Sequence, residues 1–231
     1  MPATAERQTM TAERFAQGKT WAEWVDGIQA NKPKFLKNHE DFTPHADDVA
    51  FFKAYDAKKG LKVVAIGEDW CPDVVRGMPV IARLCEEAGL DLRIFDRDKN
   101  MDLTNEFLWR HKFMCIPVFV LYDKDWNELG HWIEKPASAY KWSADIRTEL
   151  KTAGLSDEEI LPKLRELRAG LEPQWMHDTV GELRHYILSH QATRHAIRPA
   201  QPAPALLHPA CRKAHLRHPH RIPTVAAGKW G

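Results

Sequence analysis

Apolar side chains recur at threes and fours along the first sixty residues, in two runs. Phe15, Trp21, Trp24, Val25 and Ile28 form one aromatic-rich face, which predicts an amphipathic helix over 11–30, ended by Pro33. Val49, Phe52 and Tyr55, three apart, mark a second helix from Ala46 to Lys59, introduced by Pro44 and stopped by Gly60. The period then changes. Leu61–Gly67 is a short β-branched apolar run bounded by glycines, the pattern of a buried strand. After the turn 68–72, Val75, Met78, Ile81, Ala82, Leu84 and Cys85 give the inner side of a helix capped by Gly89. Pro72 fits its first turn, where a missing N–H costs little. Leu90–Phe95 reads as a strand, 96–100 as a polar turn, and Leu103, Phe107 and Leu108 mark a further helix. The strands Val118–Tyr122 and Glu128–Ile133 are close enough for a hairpin through 123–125. Ala137–Lys151, Asp157–Arg168 and Gln174–His190 are helical in period. The order β-α-β-α-β-β-α, with helices before and after, predicts an α/β core with a mixed central sheet flanked by helices.

Composition adds exclusions. With 44% hydrophobic and 28% charged residues in 231, the chain is not collagen-like, mucin-like or wholly disordered. No stretch approaches the length of apolar run that spans a bilayer, so no membrane segment is expected. The polar 1–10 segment lacks the apolar centre of a signal peptide, and a cytoplasmic location is the expectation. The net charge of +1 conceals two unlike pieces. Residues 192–231 hold seven Arg or Lys and no acid, leaving 26 basic against 32 acidic residues, a net of −6, over 1–191. That body is no nucleic-acid binder on bulk charge. The 192–231 segment, with six prolines and five histidines, is expected to be a disordered basic tail, and its composition is that of a GC-rich gene read in a shifted frame. Its histidines (His208, His215, His218, His220) match no zinc spacing.

Four cysteines, Cys71, Cys85, Cys115 and Cys211, are too few for a disulfide scaffold, and no pair has the C-x-x-C spacing of a zinc ribbon. Cys71 has the informative setting, between a buried strand and a helix. Unpaired N–H groups and the positive end of the helix dipole favour a thiolate there, with a pKa in the range of roughly 3.5–7.5. The other reading of Cys71 is a buried structural residue.

Trp70-Cys71-Pro72-Asp73 resembles the active-site turn of the thioredoxin superfamily, most closely its WCPDC-bearing branch. Pro79 matches the proline that kinks the active-site helix, and Cys115-Ile116-Pro117 followed by Val118-Phe119-Val120 resembles the cis-proline loop and the strand after it. The similarity covers about 45–152. It implies a thioredoxin-like domain there, with a helical extension at 1–44 and C-terminal helices over 153–191. It also implies Cys71 as nucleophile, Trp70, Pro72 and Asp73 beside it, and Ile116 and a cis Pro117 presenting backbone for β-type pairing with an extended substrate.

Two positions depart from the pattern. Val74 stands where the family has its second, resolving cysteine, so Cys71 cannot complete a dithiol cycle alone. Ala65 stands where thioredoxins carry a buried acid that assists proton transfer. Cys115 either resolves a mixed disulfide on Cys71 or fills a tight loop. Trp70 either shields the thiol and meets a partner or packs in the core, and Asp73 either tunes the thiolate or caps the helix. Cys85, about 21 Å along the same helix, is read as inert core. Two functions follow: single-cysteine thiol-disulfide exchange with a protein or low-molecular-weight disulfide, resolved by an external thiol or Cys115, or a non-catalytic module binding a protein through the cis-proline groove. Neither implies a metal, nucleotide or flavin, and the chain has no glycine-rich phosphate loop.

Overall fold

The computed structural model describes residues 10–197. A four-stranded sheet forms its centre, with β1 (Lys62–Gly67), β2 (Asp91–Asp96), β3 (Val118–Tyr122) and β4 (Glu128–Ile133) in the order β2-β1-β3-β4. β1 and β2 are parallel, with Ala65 opposite Ile94. β1 and β3, and β3 and β4, are antiparallel, the hairpin carrying a register shift between Leu121 and Tyr122. This is the mixed sheet that the alternation of elements predicts.

Residue alternation assigns the two faces. Val63 and Ala65 of β1, Ile94 of β2 and Phe119 and Leu121 of β3 enter one core, while Val64, Ile66, Phe95, Val118 and Val120 enter the other. The first core lies under α4 (Ala46–Lys59) and α5 (Pro72–Ala88), whose Met78, Ile81, Ala82, Leu84 and Cys85 are all buried. Phe119 and Trp132 stack there at 5.1 Å. Phe15, Leu103 and Phe107 cover the opposite face. Each large apolar side chain so buried contributes about 1.5–3 kcal/mol.

The aromatic run at 11–30 is two helices, not one: α1 (Ala12–Ala16) and α2 (Trp21–Gly27). Gly18 breaks it for a tertiary reason. A Cβ at Gly18 would lie 2.7 Å from Arg93 Cβ and 2.7 Å from the Phe95 ring, because the chain there is pinned to β2. Lys19 and Ile94 exchange backbone hydrogen bonds of 2.9 and 2.7 Å. Thr20 then opens α2 with a capping box closed by Glu23. Pro33 starts a helix rather than ending one, lying in the first turn of α3 (Lys32–Asp41), where its ring is tolerated. The helix expected around Leu103–Leu108 is the single turn α6 (Met101–Thr104). Phe107 is buried without being helical, and the chain beyond it turns through positive φ at Arg110 and His111.

α7 (Ala137–Thr152) and α8 (Asp157–Arg168) follow the sheet, α8 opened by a Ser156–Glu159 capping box. α9 (Glu172–Ile197) returns to the first core through Val180, Leu183 and Ile187. It is tied to β4 by Trp132 Nε1, which donates to Glu182 at 2.7 Å, and to α4 by Arg184 on the buried Asp48 at 2.9 Å. α9 runs six residues past the expected boundary at 192, as far as Ile197. The rest of that tail, with the expectations placed on it, lies outside the described residues. Among the described residues no helix is long and apolar enough to cross a membrane.

Candidate functional site

β1 ends at Gly67 and delivers the chain into the turn before α5. Gly67 is required by the helix above it, since a Cβ there would lie 2.8 Å from Val74 Cγ1. The turn is held from outside by the N-terminal extension. The Asp69 carboxylate accepts backbone N–H bonds from Gln29 and Ala30 at 2.7 and 2.8 Å, and Asn31 Nδ2 donates to the Asp69 carbonyl at 2.9 Å. Cys71 occupies the N-cap of α5 and Pro72 its first position. The Cys71 N–H donates to the Glu68 carbonyl at 3.2 Å, and its own carbonyl accepts from Val75 at 3.0 Å.

Opposite the turn, the Ile116–Pro117 peptide is cis. Gly77 lets α5 approach it, because a Cβ at that position would lie 3.1 Å from Pro117 Cγ. Cys71 Sγ donates to the Ile116 carbonyl at 3.7 Å. The structure therefore brings Cys71, Pro72, Ile116 and Pro117 together. Cys71, Cys85 and Cys115 are free thiols. Trp70 is not core: it is 51% exposed, with the Arg97 guanidinium 5.0 Å over its ring. Asp73 is not a helix cap; its carboxylate accepts from Arg76 Nη2 at 2.8 Å. Val74 is fully buried.

The electrostatics reverse the expected ionisation of Cys71. Burial pushes its thiol up, against the N–H groups of Val74 and Asp73, which favour the thiolate, and the Asp73 and Glu134 carboxylates push it further up. A helix N-terminus lowers a thiol pKa when water still reaches the sulfur; here only 9% of Cys71 is exposed, and desolvation dominates. Cys115, only partly buried, is pushed up to about 11 by desolvation and by the Glu134 carboxylate, to which its S–H donates. Cys85 is fully desolvated in the core and held far above its usual range.

A polar cluster surrounds these thiols, and nothing in the residue spacing singles it out. Burial opposes ionisation of Glu134, yet bonds from Lys135 Nζ at 2.8 Å and the Tyr140 hydroxyl at 2.5 Å hold its carboxyl below the usual range. Its N–H donates to the Pro117 carbonyl at 2.8 Å, fixing the cluster to the cis-proline loop. Asp73 is raised by burial, with Arg76 and Lys135 pulling the other way. Arg76 is 8% exposed. The only advance signal for it is its i, i+3 placement after Asp73 on α5. Among the described residues no group of three or more His, Cys, Asp or Glu could hold a metal ion.

The geometry has counterparts in known proteins. A structure of a protein of unknown function from Pseudomonas aeruginosa superposes with a TM-score of 0.56 at 14% identity, covering 78% of this chain and 98% of that one. An HIV epitope-scaffold superposes with a TM-score of 0.54 at 17% identity, covering 77% and 97%. At these identities the likeness is one of fold. No curated protein matches the sequence. The family model described as Thioredoxin matches residues 18–148, more than half of the chain. With that match, the α5 turn and the sheet order, the chain belongs to the thioredoxin family.

Proposed function

We propose that the protein carries out single-cysteine thiol-disulfide exchange at Cys71, slow at neutral pH, on a protein or low-molecular-weight disulfide. The observation that carries the reading is the position of Cys71 Sγ, at the head of α5 and 3.7 Å from the carbonyl of Ile116, the residue after Cys115. The Cys71 thiolate attacks one sulfur of a disulfide RSSR. A Cys71–S–S–R bond forms, the RS–SR bond breaks, and RS⁻ leaves. Release takes one of two routes. A thiolate of an external thiol attacks the mixed disulfide and regenerates Cys71, or Cys115 attacks Cys71 Sγ, expels a second RS⁻ and leaves a Cys71–Cys115 disulfide. In the second route the Cys115 proton passes to solvent base, against the hold of the Glu134 carboxylate to which the S–H donates. The cis-proline loop, Ile116-Pro117, would align an extended substrate, with the exposed Trp70 at its flank.

A second reading has its own observation. The raised Cys71 thiol and the buried Val74 suit a module that binds a partner through the cis-proline groove without exchange. One experiment separates the two. The full-length protein is incubated with oxidised glutathione near pH 9 and mapped by peptide mass spectrometry, beside Cys71→Ser and Cys115→Ser. Exchange gives a glutathione adduct on Cys71 in Cys115→Ser and its loss in Cys71→Ser. A Cys71 peptide that stays unmodified in the folded protein while Cys211 reacts removes the exchange reading and leaves the binding one.

A further inference from the structure

Beside the Cys71 turn, the first turn of α5 and the helices α7, α8 and α9 enclose a cleft of about 200 Å³ that thiol chemistry does not use. Five cations line it: Arg76, Lys135, Arg147, Arg165 and Arg168; the only carboxylate among its walls is Asp73. Apart from Ser143 the rest of the wall is apolar, with Leu161, Leu164 and the two indoles Trp142 and Trp175, whose rings meet edge-on at 5.4 Å.

The pairing of the cations is incomplete. Arg76 is bonded to Asp73 at 2.8 Å, Lys135 to Glu134 at 2.8 Å, Arg147 to Asp157 at 3.3 Å and Arg168 to Glu172 at 3.4 Å. Arg165 makes no ion pair among the described residues. Arg76 is more than nine-tenths buried, and its Nε is shut off from water with no hydrogen-bond partner; the nearest Glu172 oxygen is 3.8 Å away, too far for a bond. Arg76 nonetheless forms part of the cleft wall, its guanidinium 5.7 Å from the Trp175 ring. A small pocket of apolar walls with a few convergent charges is the form of a ligand site.

We infer that this cleft binds a small organic anion with an aromatic body, its carboxylate or phosphate headgroup held by Arg76, Arg165 and Arg168 and its ring set against Trp142 and Trp175. The inference stands apart from the redox reading, since none of these groups takes part in exchange at Cys71. The cleft is smaller than pockets for drug-sized ligands, roughly 300–1,000 Å³, which limits the ligand to about one ring and its headgroup.

Isothermal titration calorimetry of the full-length protein tests it with benzoate, phenyl phosphate, inorganic phosphate and the neutral isostere benzamide, followed also by tryptophan fluorescence. The expected result is one saturable site per chain for benzoate or phenyl phosphate, the tighter of the two identifying the headgroup. Benzamide and inorganic phosphate are each expected about tenfold or more weaker, the loss expected when a charge-assisted hydrogen bond or the aromatic contact is missing. Arg165→Gln, at an exposed position that folding tolerates, is expected to weaken binding about tenfold, and Trp142→Phe to reduce the fluorescence response. Equal binding of benzoate and benzamide overturns the inference, as do equal binding of phenyl and inorganic phosphate, unchanged affinity in Arg165→Gln, or no saturable heat with either aromatic anion.

Discussion

The ionisation of Cys71 has a direct kinetic consequence. Burial raises the Cys71 thiol above its ordinary value, so its thiolate fraction at pH 7 lies below the about 3% of an unperturbed thiol near 8.5. Alkylation proceeds through the thiolate, so Cys71 should react at neutral pH more slowly than an ordinary thiol, such as one in an unstructured peptide followed beside it. Its burial slows it further. The observed rate should climb about tenfold per pH unit from pH 7 and still be rising at pH 9. The assay is a pulse of iodoacetamide at a series of pH values, quenched and read peptide by peptide, so that Cys71, Cys85, Cys115 and Cys211 are followed separately. Asp73→Asn removes one of the two carboxylates that push the thiol up and should move the Cys71 profile to lower pH. A wild-type profile that reaches its plateau below pH 8 would refute the reasoning, because the helix terminus would then outweigh desolvation. So would a profile unmoved by Asp73→Asn in a protein that remains folded.

Desolvation and the Glu134 carboxylate together push the Cys115 thiol up to about 11; Glu134→Gln removes the second, and Cys115 labelling at pH 9 should accelerate, where an unchanged rate shows that desolvation alone sets its ionisation. Gly67→Ala drives a methyl group to 2.8 Å from a stiff, buried Val74 and should cost about 1–3 kcal/mol in urea unfolding, where a loss below about 0.5 kcal/mol means that α5 shifts freely. Phe119→Ala empties a fully buried position stacked on Trp132, with an expected loss of about 3–5 kcal/mol by the same measurement. Asp96 is kept below its usual range, burial being outweighed by bonds from Lys19 and Lys99. Its stabilising contribution is therefore complete above the unfolded value of 3.8 and lost as pH falls through the depressed folded one. Asp96→Asn should flatten the acid limb of a stability–pH curve, and a limb of unchanged slope counts against the pairing.

The sheet was legible because its signal is local. Short apolar runs rich in β-branched residues mark Leu61–Gly67 and 118–122, a close partner follows at 128–133, and the strands keep those bounds within a residue. The cysteine turn was legible for a similar reason, since a strand, a Trp-Cys-Pro sequence and an amphipathic helix are contiguous in the chain. Gly18 breaks its helix because of a bond to β2, seventy-odd positions away, and no window of sequence contains that. α3 has few apolar residues beyond Phe35, so its period is too weak to read. The Cys71 thiol shows the division within one residue. The helix end that favours its ionisation is visible in the sequence, whereas the burial that opposes it is made by the fold, and the Glu134 carboxylate that adds to it arrives from 63 residues further on. Arg76 shows it again, as a buried charge that meets Glu172 and Trp175 from the C-terminal helices.

The pairing of Lys19 with Ile94 reaches beyond the helix it interrupts. β2 is a border of the sheet, and an unpaired border offers its N–H and C=O groups to any extended chain, including another copy of the same protein. Lys19 occupies both backbone groups of Ile94 in mid-strand, and its ammonium reaches Asp96 at 2.8 Å, placing a charge beside the same border. The N-terminal extension therefore acts as a guard at the middle of that border, where another strand would have to displace Lys19 before it could pair with β2.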